Sequence, residues 1–233
     1  MTGFSDSQHL RKTIAGACMV LAPLLVLAAL VISPRLETEA ADQLRVAAAD
    51  IDRYYLSNLL AMVGVALFVP AVLGLMHMVR ERKPLHGAVG GGLAVLGLLA
   101  TMASFGLGFA VWQMASNGVS PADVALLDSI NDTAGIQIPI AMVGFAGCVG
   151  VVVLALGLYL ARVVDWWMAL FAAVGVVCVN VAFPAGVLAL GIVGAALLVV
   201  GFGSVGLMVL RETDSEWEHT PDYHGIRPAA GMS

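Results

Sequence analysis

The side chains best suited to chemistry are Asp50, Asp52, Arg53, Ser57, Asn58, Gln113, Asp128, Asn131, Asp132, Gln137 and Asn180. They sit at the edges of long uncharged runs, on what the pattern of basic residues marks as one side. Two readings follow. In one, the amides and hydroxyl line an outward-facing pocket with acids at its mouth, and Asp50, Asp52 or Asp132 acts as a tuned acid at the lipid boundary. In the other, the same amides and hydroxyls tie helices together while the acids face water.

Other chemical signals are weaker. Met76-His77-Met78 combines ligand types that suit reduced copper, but neighbouring residues on a helix point about 100° apart, so the three do not readily converge. His219 and His224, near Glu218 and Asp222, match no tight metal spacing. Trp166-Trp167 reads as an interfacial anchor, and Cys18, Cys148 and Cys178 as small side chains within apolar runs. No charge lies well inside an apolar run, which disfavours a proton relay. The glycines lie in apolar helices and not in strand-loop-helix phosphate loops. No metal, cofactor or nucleic-acid partner is expected.

Positioning these residues falls to apolar helices. Hydrophobic residues make up 60 % of the chain and charged ones 12 %, with mean hydropathy +0.95. That is a polytopic membrane composition. The basic island Arg80-Glu81-Arg82-Lys83-Pro84 separates two long uncharged runs. Apolar stretches at about 13–34, 54–79, 87–115 and 135–160 each suffice to cross a bilayer. The run from Asp165 to Arg211 is too long for one crossing, so it folds back near Asn180-Val-Ala-Phe-Pro184, giving spans at about 166–181 and 184–210. Ser33-Pro34 and Ser120-Pro121-Ala122-Asp123 each read as the start of an outer helix, the first closing at Ile51-Asp52 and the second running to about Ile130. The expected fold is an all-α polytopic membrane helical bundle of six transmembrane helices with two short extracytoplasmic amphipathic helices. Residues 1–12 and the polar tail 211–233 are then both cytoplasmic.

Charge agrees with that orientation. Arg11, Lys12, Arg80, Arg82, Lys83, Arg162, Arg211 and Arg227 fall inside, against Arg35, Arg45 and Arg53 outside. The acidic residues divide evenly, so the whole net charge of −5 lies on the outer side. An internal repeat adds to the pattern: Ala61-Met62-Val63-Gly64 recurs as Ala141-Met142-Val143-Gly144, and Leu73-Gly74-Leu75 as Leu156-Gly157-Leu158. Two tandem hairpins, each with an outer helical cap, are expected.

Ile14-Ala15-Gly16 through Leu24-Leu25, Val69-Pro70-Ala71-Val72-Leu73-Gly74-Leu75 and Leu126-Leu127-Asp128 carry a resemblance to the uncharacterised six-span membrane proteins of high-GC actinobacteria. The resemblance implies the fold and a plasma-membrane location, and it brings no activity. The leading functional expectation is a non-enzymatic bundle that binds lipid, a membrane-protein partner or a second copy of itself. The alternatives are a small-solute or lipid permease using the outer pocket and an intramembrane cyclase or isomerase.

Overall fold

The computed structural model describes residues 3–214 and Trp217; of residues 3–8 it describes the backbone alone. Eight helices follow in order: α1 Gly3–Ile32, α2 Ala40–Ala49, α3 Ile51–Val79, α4 Pro84–Ser116, α5 Pro121–Asp132, α6 Ala134–Leu160, α7 Trp166–Ala182 and α8 Leu188–Arg211. Among the described residues there is no strand.

Five helices, α1, α3, α4, α6 and α8, are long and apolar enough to cross a membrane. The sixth apolar helix, α7, has 17 residues. These six pack as neighbours in a closed ring, α1 on α3, α3 on α4, α4 on α6, α6 on α7, α7 on α8 and α8 back on α1. Inside, Leu75, Leu154, Phe202 and Val205 belong to one buried cluster, and Phe68 meets Phe202 edge-on with ring centres 5.2 Å apart. A residual void of about 10 Å³ remains among these side chains, lined by apolar groups. That is about the smallest space that holds a water, and its walls offer nothing to hold one.

The outward surface of the ring is also apolar. Leu85, Phe145, Met142 and Trp166 are all largely exposed, Leu85 and Phe145 at 71 %. A surface this apolar over whole helix lengths belongs in lipid and not in water. The class is therefore a helical membrane bundle.

Successive long helices alternate in direction. α2 and α5 touch each other at one end of the bundle, and at the other the first turns of α1 meet the residues that follow α8. There the Lys12 ammonium lies 2.5 Å from the Asp214 carboxylate and donates to the Glu212 carbonyl at 2.7 Å. His9 Nδ1 is 3.2 Å from the same carboxylate.

Several expected boundaries move. The polar residues 3–12 are not a separate segment but continue α1. Ser33-Pro34 does not open a helix: α1 stops at Ile32, residues 33–38 are irregular, and α2 starts only at Ala40. Proline pushes the residue before it out of the helical region, so Pro34 ends one helix instead of starting the next. Asp50 then separates α2 from α3, leaving helical geometry and accepting the Arg53 N–H as the cap of α3. The last reversal lies at 183–187, later than Asn180–Pro184. Pro184 sits in a final turn, Gly186 takes the left-handed φ of 63°, and the Val187 N–H reaches back to the Ala182 carbonyl at 3.0 Å. α8 accordingly begins at Leu188.

The second short helix, α5, keeps its expected start. Ser120 Oγ accepts the Asp123 N–H at 3.2 Å while the Asp123 carboxylate accepts the Ser120 N–H at 3.0 Å, both halves of a capping box. The Ser120 hydroxyl also donates to that carboxylate. These bonds, side chain first, hold the Asp123 carboxyl below its ordinary range.

Candidate functional site at the capped end

α2 packs on the end of α4, and α5 packs on α2 and on α6. Leu44 of α2 and Leu127 of α5 are both fully buried, in one cluster with Ala40, Ala47, Val111 and Ala115. Each short helix is thus held by an apolar stripe at helical spacing, and its acids face away. Tyr55 packs between Phe109 and Trp112, with ring centres 5.7 and 5.0 Å apart.

Beneath this cap the polar residues singled out in the sequence are placed one by one. Ser57 is buried and its hydroxyl donates to the Ala29 carbonyl at 3.0 Å, joining α3 to α1. Asn58 donates from Nδ2 to the Phe105 carbonyl at 3.2 Å, joining α3 to α4, and Gly108 lies against its side chain. Gln137 donates to the Ile130 carbonyl at 3.3 Å, joining α6 to α5. Asn180 bonds its own helix at the Val176 carbonyl, 2.9 Å away. Gln113, Asp52, Asp128 and Asp132 are exposed, and Asn131 is half-buried on α5. These residues do not gather around one space. Ser57, Asn58 and Gln137 are spent on ties between helices, and Asn180 on its own helix.

Two members, Asp50 and Arg53, do share a groove. It has a volume of about 450 Å³ and lies where α1 ends, α2 crosses and α8 begins, with Ser33, Pro34, Arg35, Val46, Ala49 and Leu188 completing its lining. Arg53 is fixed at its base, Nε donating to the Ile32 carbonyl at 2.5 Å. Asp50 is fixed by its capping bond to the Arg53 N–H at 3.2 Å. Arg35 makes no hydrogen bond or ion pair among the described residues, and neither arginine is ion-paired with Asp50. Arg35 was not picked out from the sequence, although it is the first charge after the first apolar run, and that position was the available signal.

The opposite end holds the Met76-His77-Met78 triplet, and the three side chains part company. Met78 is buried in the core. Gly91 of α4 leaves room for the Met76 side chain, and Gly87 does the same for Val79, so the Gly87-x-x-x-Gly91 face packs on α3. His77 turns to Trp217: it stacks on that ring at 4.9 Å and 17°, and its Nε2 lies 3.1 Å from the Trp217 carbonyl. Arg80 Nη1 is 3.1 Å from Nδ1, so Nδ1 accepts and Nε2 carries the proton that is donated. Trp217 itself is buried. Asp214 is held below the ordinary carboxylate range, first by its hydrogen bond from Lys12 and then by that from His9. The expected features at His219, His224, Glu218 and Asp222 lie outside the described residues.

In comparisons with protein families, curated proteins and solved structures, none matches the chain.

Proposed function

We propose that the chain is a six-span plasma-membrane protein with both termini in the cytoplasm, and that it works as a non-enzymatic bundle binding lipid at its capped, outer end. α7 counts as the sixth span: 17 residues reach about 25 Å at 1.5 Å each, the lower limit for a crossing of a hydrocarbon layer of roughly 30 Å. The observation that carries the lipid reading is the contrast between a ring interior closed by apolar side chains and a charged groove where α1 ends and α8 begins. A permease would need a polar path, and Asn58 and Gln137 are instead bound to carbonyls of neighbouring helices. A cyclase would need a shielded acid, whereas Asp50 caps a helix and Asp52 and Asp132 are exposed. The actinobacterial resemblance fits the same picture.

Purification in a mild detergent followed by quantitative lipid analysis tests the reading. It predicts a phospholipid retained in about stoichiometric amount and enriched over the host membrane. Retained lipid that merely mirrors the host membrane, together with solute uptake into proteoliposomes that is lost on Asn58→Leu and Gln137→Leu, would favour the permease instead.

A further inference from the structure

We infer that the groove at the junction of α1, α2 and α8 binds the zwitterionic headgroup of a phosphoethanolamine lipid. The inference rests on the lipid-binding reading above and assigns its site and ligand class.

The lining carries two guanidinium groups and one carboxylate that do not pair with each other: Arg35, Arg53 and Asp50. Arg53 uses Nε on the Ile32 carbonyl, which aims its fork and leaves the two Nη groups for a ligand. Guanidinium groups match the oxygens of a phosphate, and a carboxylate matches a primary ammonium through charge-assisted hydrogen bonds. Asp50 spends one oxygen on the Arg53 N–H, and its other oxygen makes no bond among the described residues. The surrounding end argues against a bare anion. Glu37, Glu39, Asp42 and Asp52 stand near in sequence, and this end has eight acids to three bases. A ligand of zero net charge avoids that repulsion, and only one carrying both signs engages all three groups. Of the apolar part of the lining, Val46 and Ala49 belong to α2, while Pro34 follows the end of α1 and Leu188 begins α8. A lipid alongside those helices brings its headgroup to this level. A trimethylammonium group has no N–H to give Asp50, so a choline lipid fits less well than an ethanolamine one.

The test uses the full-length, delipidated protein in detergent micelles, titrated separately with dioleoyl phosphatidylethanolamine, phosphatidylcholine and phosphatidylglycerol, with bound lipid read by native mass spectrometry. Phosphatidylethanolamine is expected to bind about tenfold more tightly than the other two, since one charge-assisted hydrogen bond is worth about that much. Arg35→Gln is expected to weaken it about tenfold, with Arg35→Lys recovering much of the loss. Arg35 makes no hydrogen bond or ion pair among the described residues, so neither change should disturb folding. Asp50→Asn keeps the helix cap, because Asn caps as well as Asp. It should erase the preference for ethanolamine over choline without weakening phosphatidylcholine. Selective lipid binding that survives both variants would overturn the site while leaving lipid binding standing. A wild-type protein that retains no lipid class selectively would remove the underlying reading as well. Glycerophosphoethanolamine in hundredfold excess should not compete; full competition would overturn the lipid as source in favour of a soluble ligand.

Discussion

The two hairpins that look like a repeat in sequence, α1–α3 and α4–α6, have the same outline and different surroundings. Each is a long helix, a short cap helix and a long helix. α8 and Trp217 cover the first, and half of the apolar window of α1 is buried; in α4 only 17 % is. The shared tetrapeptide shows what this does to a motif. Gly64 faces α1, where an added Cβ would stand 2.9 Å from the Val26 side chain and 3.1 Å from the Ala22 carbonyl, whereas Gly144 faces open space. The second hairpin closes through other glycines, with a Cβ on Gly97 only 2.3 Å from the Gly147 Cα. Identical residues in equivalent places therefore do different jobs, because packing partners and not the motif decide the use of a glycine.

Substitutions at these positions break or sharpen that contrast. Gly97→Ala forces two backbones apart and is expected to cost about 1–3 kcal/mol, seen as a lowered thermal midpoint in detergent. Gly64→Ala meets a flexible valine tip as well as a carbonyl, so a loss of roughly 1 kcal/mol is expected. Gly144→Ala, its partner in the repeat, should change stability by less than about 0.5 kcal/mol. Equal effects at Gly64 and Gly144 would mean that the two hairpins are packed alike.

Smaller effects concern the polar ties. Ser57→Ala and Asn58→Leu each remove one interhelical bond and should cost about 0.6 kcal/mol, a typical value for such bonds in membranes. A collapse of the fold on either change would assign them a larger role. At the opposite end Lys12→Met releases the terminal segment alone. Trp217, followed by fluorescence in a chain whose other three tryptophans are replaced by phenylalanine, should become accessible to acrylamide while the unfolding midpoint stays put. Acid should do the same. The folded-state value of Asp214 is depressed, so its contact contributes at pH values above the ordinary carboxylate range near ~3.9 and is lost as pH falls through the lower folded value. Release at neutral pH would contradict this assignment.

How far the sequence reveals such things depends on the length scale of the signal. Long neutral runs and the Ser120–Asp123 box are local, and the helices they predict are present at nearly the same residues. Pro34 is ambiguous locally, since proline both ends a helix and starts one, and the wider chain decides. The left-handed turn at Gly186 was hidden by the more obvious Pro184. For the candidate site, the alternative that amides tie helices together describes Ser57, Asn58 and Gln137. Arg35 escaped because its place beside Arg53 depends on α2 folding across the end of α1, a contact that no periodicity encodes. Trp217 escaped for the same reason: its partner His77 is 140 residues away.

The central claim is that the ring of helices crosses the bilayer with α2 and α5 outside and the basic turn at 80–83 inside. Single cysteines at Ala48→Cys, on the exposed face of α2, and Glu81→Cys, in that turn, test it in a chain whose three native cysteines are replaced. A membrane-impermeant maleimide added to intact cells should label position 48 and leave position 81 untouched until the cells are opened. Labelling of 81 alone would invert the orientation, and labelling of both in intact cells would show that the helix between them does not cross.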